Sequence, residues 1–204
     1  MLLIGLTGGI ASGKSLAARA LRDHGACLID ADRIVHELLK PDQQAWQEVR
    51  HYFGDGILLP DRSIDRRKLG EVVFHDPVKR AWLNSCLHPR VFDAYAAQVR
   101  NLRNRPRDTI IVLDAALLIE TGYHRNMDRI IVVYADPEQQ LERLILRDSF
   151  TEEEALARIG SQMPLAEKRG YADYVIDNTG PREHTEQQVK ELFTKLKREA
   201  EMTS

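Results

Sequence analysis

Residues Gly8-Gly9-Ile10-Ala11-Ser12-Gly13-Lys14-Ser15 match the spacing G-x-x-x-x-G-K-[ST]. Glycines at both ends let the backbone curl tightly, so that successive N–H groups turn inward around an anion. Lys14 can reach the β- and γ-phosphates of a nucleotide held there, and the Ser15 hydroxyl can bind Mg²⁺. Gly9, Ala11, Ser12, Gly13, Lys14, Ser15 and Leu16 are therefore the candidate contacts to a nucleoside triphosphate. A glycine-rich turn before a helix would share the composition. The flanks decide against that reading: Leu2-Leu3-Ile4-Gly5-Leu6 has strand character, and Leu16, Ala17, Ala20 and Leu21 recur at helical spacing. A helix starting at the loop adds partial positive charge where phosphate would lie.

Carboxylates supply the second chemical signal. Transfer of a phosphoryl group to a hydroxyl needs a carboxylate to orient that hydroxyl and take its proton, and others near Mg²⁺. Asp30, Asp32 and Asp114 all follow short apolar runs. Asp32 could instead cap the helix that begins before Ile34-Val35, and Asp114 could be a turn residue. Strand-end carboxylates on the ligand-binding edge of a sheet favour chemistry over both alternatives. A third signal is the arginine-rich stretch containing Arg143, Arg147, Arg158 and Arg169, around the capping box Thr151-Glu152-Glu153-Glu154. Either this is a solvated helix with pairs such as Glu154–Arg158, or it is a lid spanning residues 147–165 that brings guanidinium charge over the triphosphate.

These groups need a frame. Five apolar runs, near residues 2–6, 26–29, 109–113, 130–134 and 174–176, alternate with helical patterns. The fold implied is α/β: a five-stranded parallel sheet with helices on both faces, in three layers. About 70 residues between the second helix and the third run exceed any simple crossover. Trp46, Val49 and Phe53, then Leu69, Val72 and Val73, then Trp82, Leu83 and Leu87, and then Val91, Tyr95 and Val99 mark helices within them. Residues 1–40 and 109–204 are thus expected to form the nucleotide-binding core, and 41–108 a helical insertion holding a second substrate.

The chain has 204 residues and a net charge of −2, with 43% hydrophobic and 29% charged residues. That is the composition of a soluble globular protein, with no basic excess to favour a nucleic-acid backbone or an anionic membrane. No apolar run approaches a membrane span, and the apolar N-terminus lacks a basic flank and runs directly into the glycine loop. Cys27 and Cys86 are too few for a disulfide framework or a zinc site, which suits a cytoplasmic location; Cys27 reads as a small core residue.

Further segments carry a family resemblance over the whole chain. They are Ile29-Asp30-Ala31-Asp32, Ile64-Asp65-Arg66-Arg67-Lys68-Leu69-Gly70, Leu87-His88-Pro89, Leu117-Leu118-Ile119-Glu120, Gln162-Met163 and Ala172-Asp173-Tyr174-Val175-Ile176-Asp177-Asn178-Thr179-Gly180. In this order, with the glycine loop, the chain resembles the dephospho-coenzyme A kinases of the P-loop kinase superfamily. Ala116 stands where that family usually has proline. The resemblance implies transfer of the ATP γ-phosphoryl group to the ribose 3′-hydroxyl of dephospho-coenzyme A, with Mg²⁺ accompanying ATP. It implies Asp32 as base, Arg66 and His88 on the acceptor side, Arg147 in a lid over ATP, and Asn178 to Gly180 near the adenine. Asp114 stands as an outer candidate near the metal. A nucleoside monophosphate kinase has a similar plan, but its acceptor is a phosphate with less need of a base. A GTPase-type switch would require an Asn-Lys-x-Asp motif, which the chain lacks.

Overall fold

Five apolar runs become five strands of one sheet in the computed structural model, which describes residues 1–102, 106 and 109–202. In chain order the regular elements are β1 (Leu2–Gly8), α1 (Lys14–Asp23), β2 (Cys27–Asp30), α2 (Ala31–Leu38), α3 (Gln44–Phe53), α4 (Arg66–His75) and α5 (Pro77–Asn101). They continue with β3 (Ile110–Asp114), β4 (Arg129–Tyr134), α6 (Pro137–Asp148), α7 (Glu152–Gly160), α8 (Leu165–Lys168), β5 (Tyr174–Asp177) and α9 (Arg182–Met202). The limit expected for the insertion, residue 108, and the last two residues of the chain lie outside the described residues.

The strand order is β2-β3-β1-β4-β5 in a parallel sheet. β1 lies in the middle, with Leu6 opposite Asp114 of β3 and Thr7 opposite Val132 of β4. The glycine loop therefore leaves the centre of the carboxyl edge, where open parallel sheets bind ligands. Near-continuous apolar strands are buried on both faces because crossover helices cover both. On one face Ile4, Leu6, Ile110, Val112, Ile131 and Val133 pack with Ala17 and Leu21 of α1 and Val189, Phe193 and Leu196 of α9. Alternate residues Ile111, Leu113, Ile130 and Val132, also fully buried or nearly so, take the opposite face. There a Cβ at Gly5 would stand 2.4 Å from Leu118 Cδ2. Cys27 is half-buried rather than a core residue, because β2 is an edge strand.

The chain divides into two compact units, one comprising residues 1–29 and 102–204 and the other residues 30–101. The division falls ahead of α2, which packs on α3 and α5. In the second unit Trp46, Val49, Ile57, Ile64, Leu69 and Cys86 form a separate core. Trp46 donates its indole N–H to the Arg62 carbonyl at 2.9 Å, and Tyr52 stacks on Trp82 at 3.8 Å between centroids. The patterns at 82–87 and 91–99 fuse into the single helix α5, which runs through Pro89. A proline there removes one ladder bond. In the same turn the Arg90 guanidinium donates to the Cys86 carbonyl at 2.5 Å.

Candidate active site

The glycine loop is shaped by two left-handed residues, Ala11 (φ 57°) and Gly13 (φ 89°). Its bonds are few and specific: Ser12 N–H donates to the Gly9 carbonyl, and Leu16 N–H to the Gly13 carbonyl, which starts α1. No side chain caps α1, so its first amides remain available to an anion. Ser12 Oγ is buried and has no hydrogen-bond partner, as befits a donor awaiting a ligand oxygen. Space for side chains is absent around the cradle. A Cβ at Gly8 would stand 2.5 Å from Ser12 Oγ, one at Gly9 2.6 Å from Gln140 Nε2, and one at Gly13 1.9 Å from Asn178 Nδ2.

Three side chains distant in sequence hold the loop in place. Gln140 on α6 donates to the Ile10 carbonyl at 2.6 Å, and Ile10 N–H donates to Gln162 Oε1 at 2.8 Å. Asn178, just past β5, donates to the Ser12 carbonyl at 2.8 Å and accepts from Thr185 of α9 at 2.8 Å. The carbonyl of Asn178 in turn takes a bond from Arg143. Thr179 N–H and hydroxyl bond Asp177, holding that carboxyl below its usual range, and the Thr179 carbonyl accepts from Gln139 at 2.8 Å. Asn178 and Gly180 thus belong to a turn fastened to the glycine loop.

Lys14 opens α1, and its ammonium is ion-paired with Asp114 at the end of β3. Both side chains are nearly buried, 14% and 9% exposed. Ser15 presents a hydroxyl in the first turn of α1. A hydroxyl and a carboxylate are the hard oxygen donors Mg²⁺ prefers, and Mg²⁺ uses one or two protein groups beside waters and phosphates. Ser15 and Asp114 therefore fit a magnesium ion that arrives with a nucleotide. No group of three or more His, Cys, Asp or Glu suited to a metal occurs among the described residues.

In the helical unit the capping role falls to Asp30, not Asp32. Asp30 Oδ1 accepts from Asp32 N–H at 2.8 Å and from Arg33 N–H at 3.1 Å. Asp32 sits in the first turn of α2, exposed, with its carboxylate unbonded within this unit. Arg66 is the first residue of α4, capped by Asp65, and is also exposed. His88 lies mid-way along α5, tilted against Phe92, and burial pushes its imidazole below the usual range. Both α2 and α4 pack on α5, so α5 connects the helices bearing all three residues.

The proposed lid begins where α6 ends at Ser149 in the left-handed conformation (φ 56°). Thr151 and Glu154 form the expected capping box of α7. Arg158 lies 3.8 Å from the centroid of Phe150 and donates to the Glu154 carbonyl, while the Glu154 carboxylate serves the capping box. Arg147 and Arg143 part company despite their shared helical spacing. Arg143 reaches Asn178, whereas Arg147 is exposed and makes a two-point pair with Asp148 at 2.9 and 2.8 Å.

A family model described as dephospho-CoA kinase matches residues 2–183. This chain belongs to the dephospho-CoA kinase family. A dephospho-CoA kinase of Carboxydothermus hydrogenoformans is 47% identical over 96% of this chain and 94% of its own length. One from Syntrophus aciditrophicus is 44% identical over 96% of this chain and 83% of its own length. Among solved structures, a Thermus thermophilus protein superposes with a TM-score of 0.79 at 31% identity, over 96% of this chain and 97% of the other. The Campylobacter jejuni dephospho-CoA kinase gives 0.70 at 27%, over 96% and 97%.

Several residues of this dephospho-CoA kinase family member escape a sequence reading. Gln140, Thr185 and Lys168 stand on helical stretches with no motif to mark them, yet all three are buried. Only the glycines hint at them, since a loop without side chains must be walled by something else. A groove of about 340 Å³ also runs beside α1, with Arg19, Asp23, Arg182 and Glu186 among its lining residues.

Proposed function

We propose that this chain transfers the γ-phosphoryl group of ATP to the ribose 3′-hydroxyl of dephospho-coenzyme A, releasing coenzyme A and ADP. The observation that carries the reading is the match to the dephospho-CoA kinase family over residues 2–183, with the intact glycine loop inside it. The loop amides of Gly9 to Leu16 hold the phosphates, and Lys14 leaves Asp114 to follow the γ-phosphoryl group. Ser15 and Asp114 would hold the accompanying Mg²⁺, Asp114 as the outer of the two. When bound, Mg²⁺ would supply neutralisation of negative charge on the triphosphate. Asn178 and Gly180 border the adenine.

The acceptor is the business of residues 41–108 together with Asp32. Arg66 pairs with acceptor phosphate, because a guanidinium recognises phosphate bidentately. His88 stays neutral at pH 7 and offers the acceptor a hydrogen-bonding ring. Asp32 orients the 3′-hydroxyl and takes its proton as the oxygen–phosphorus bond forms and the bond to the ADP oxygen breaks. The free carboxylate left by Asp30 capping supports this role. Residues 147–165 act as a lid, with Arg147 exchanging Asp148 for ATP phosphate and closure excluding water. We further propose a cytoplasmic protein working on small metabolites, with neither nucleic acid nor membrane as partner. No helix among the described residues is long and apolar enough to cross a membrane.

ADP release from Mg-ATP, followed with and without dephospho-coenzyme A, tests the reading. Acceleration by the acceptor, with coenzyme A formed in equal amount to ADP, is expected. Acceleration by nucleoside monophosphates instead would overturn it.

A further inference from the structure

A buried ammonium that the nucleotide chemistry does not require lies behind the glycine loop. Lys168, at the end of α8, is 0% exposed, and no other lysine among the described residues belongs to the buried set. Three donors meet three acceptors: the Ala116 carbonyl at 2.7 Å, Glu120 Oε1 at 2.9 Å and the Gly8 carbonyl at 3.4 Å. Burial pushes this lysine below its ordinary range, Glu120 pulls it back, and the charge of Lys14 pushes the same way as burial. Burying an ammonium is expensive unless every donor is used. Here every donor is used, and each acceptor belongs to a segment that the reaction depends on.

Gly8 is where β1 becomes the glycine loop, and Ala116 lies just past Asp114 at the exit of β3. The same Ala116 carbonyl takes a second bond from Thr7 Oγ1 at 3.0 Å, so the two exits share one acceptor. Glu120 Oε1 also accepts from Met163 N–H at 3.1 Å. Met163 neighbours Gln162, which holds Ile10, and α8 follows with Leu165 packed 3.2 Å from where a Gly9 Cβ would be. One ammonium therefore fastens together the Lys14 strand exit, the Asp114 strand exit and the C-terminal foot of residues 147–165. Within the planar trans peptide joining Gly8 to Gly9, C=O and N–H point to opposite sides. Holding the Gly8 carbonyl toward Lys168 thus directs the Gly9 N–H away from it.

We propose that Lys168 is a positioning residue for phosphoryl transfer, fixing the glycine loop and Asp114 relative to the foot of the lid. It touches neither nucleotide nor acceptor and acts through Gly8, Ala116 and Glu120. This rests on the kinase reading above. The carbonyl at 116 is what Lys168 and Thr7 use, which is why alanine can stand where the family usually has proline.

The test compares wild type, Lys168→Met, Lys168→Arg and Glu120→Gln. The readouts are kcat, KM for each substrate, the ratio of acceptor-independent hydrolysis to transfer, the calorimetric Kd for ATP, and Tm. Misplacing a catalytic frame by about 1 Å can lower rate by about 10²-fold. For folded Lys168→Met we expect kcat to fall about 10–100-fold, Kd for ATP to change at most a few-fold, and hydrolysis to rise relative to transfer. Lys168→Arg should restore part of kcat by keeping the charge. Glu120→Gln retains an acceptor oxygen for Met163 and should move kcat and the ratio in the same direction by a smaller factor. A purely structural role would lower Tm and leave kcat per folded molecule and the hydrolysis ratio at wild-type values, and that result overturns the proposal. If Lys168→Met does not fold, Glu120→Gln decides by the same two readouts. Absence of dephospho-coenzyme A phosphorylation by wild type would instead overturn the kinase reading, leaving ATP hydrolysis to judge Lys168.

Discussion

Lys14 on the first turn of α1 is ion-paired with Asp114 at the carboxyl end of β3, so the lysine proposed to bind phosphate is held by a carboxylate. The register of β1 and β3 makes this possible, since Leu6 lies opposite Asp114 and the loop then returns Lys14 to that same edge. On the proposed reading a triphosphate draws Lys14 away from Asp114 and leaves the carboxylate to a second cation. Lys14→Met is expected to weaken ATP binding and lower kcat by about 10²–10³-fold, the effect of deleting one donor to developing charge. Asp114→Asn should raise the Mg²⁺ concentration needed for half-maximal rate. Unchanged titrations with both variants would dissociate the pair from catalysis.

Gly13 is required by geometry twice over: its φ is 89°, and a Cβ would lie 1.9 Å from Asn178 Nδ2. Gly13→Ala should lower Tm by about 2–8 °C, from a left-handed penalty of about 1–2 kcal/mol in a chain of this size. ATP affinity should fall with it. Combining Gly13→Ala with Asn178→Ala should give less than the sum of the two single effects, because the steric conflict is shared. Strict additivity in a thermal melt would refute that contact.

Asp30 caps α2, while Asp32, two residues on, is exposed in its first turn. Asp32→Asn should leave ATP affinity near wild type and reduce turnover about 10²–10⁴-fold, as for a positioned acid–base group. Asp30→Ala should instead lower stability by about 1 kcal/mol through loss of the α2 cap. Near-normal turnover of Asp32→Asn would remove the base from the mechanism.

Arg66 lies exposed at the start of α4 with no ion pair inside its unit. Arg66→Ala should raise KM for dephospho-coenzyme A about tenfold to a hundredfold, the range for losing a hydrogen bond to a charged group. KM for ATP should hardly move. A selective ATP defect would assign this helix to the nucleotide instead.

Arg147 is paired with Asp148 and exposed, the arrangement of an ordinary surface residue, so the lid reading faces its hardest test there. Arg147→Ala should lower kcat, weaken ATP modestly and increase hydrolysis relative to transfer, since an unclosed lid admits water. If Arg147 merely decorates the end of α6, replacement changes stability by under about 0.5 kcal/mol and leaves the kinetics alone. The hydrolysis-to-transfer ratio separates the two outcomes.

Local chemistry was legible in the residues themselves. The glycine loop, the strand entering it, the α1 helix and the capping box at Thr151 each depend on neighbours within a few positions, where backbone preference and spacing carry the information. Alternating apolar runs and helical patterns likewise determined a parallel α/β sheet, because only burial on both faces accommodates such strands. What spacing could not decide was which polar side chain would be drawn inward. Asp32 reads as a candidate cap before Ile34-Val35, and the φ/ψ of the β2–α2 junction places Asp30 at that position instead. Arg143 and Arg147 share a helical face by periodicity, yet the helix end separates one onto Asn178 and the other onto Asp148. Lys168 carries no local mark at all. Its burial follows from Gly8 on one segment and Ala116 and Glu120 on another converging on it, and desolvation and hydrogen-bond satisfaction are properties of that assembled environment rather than of any stretch of chain.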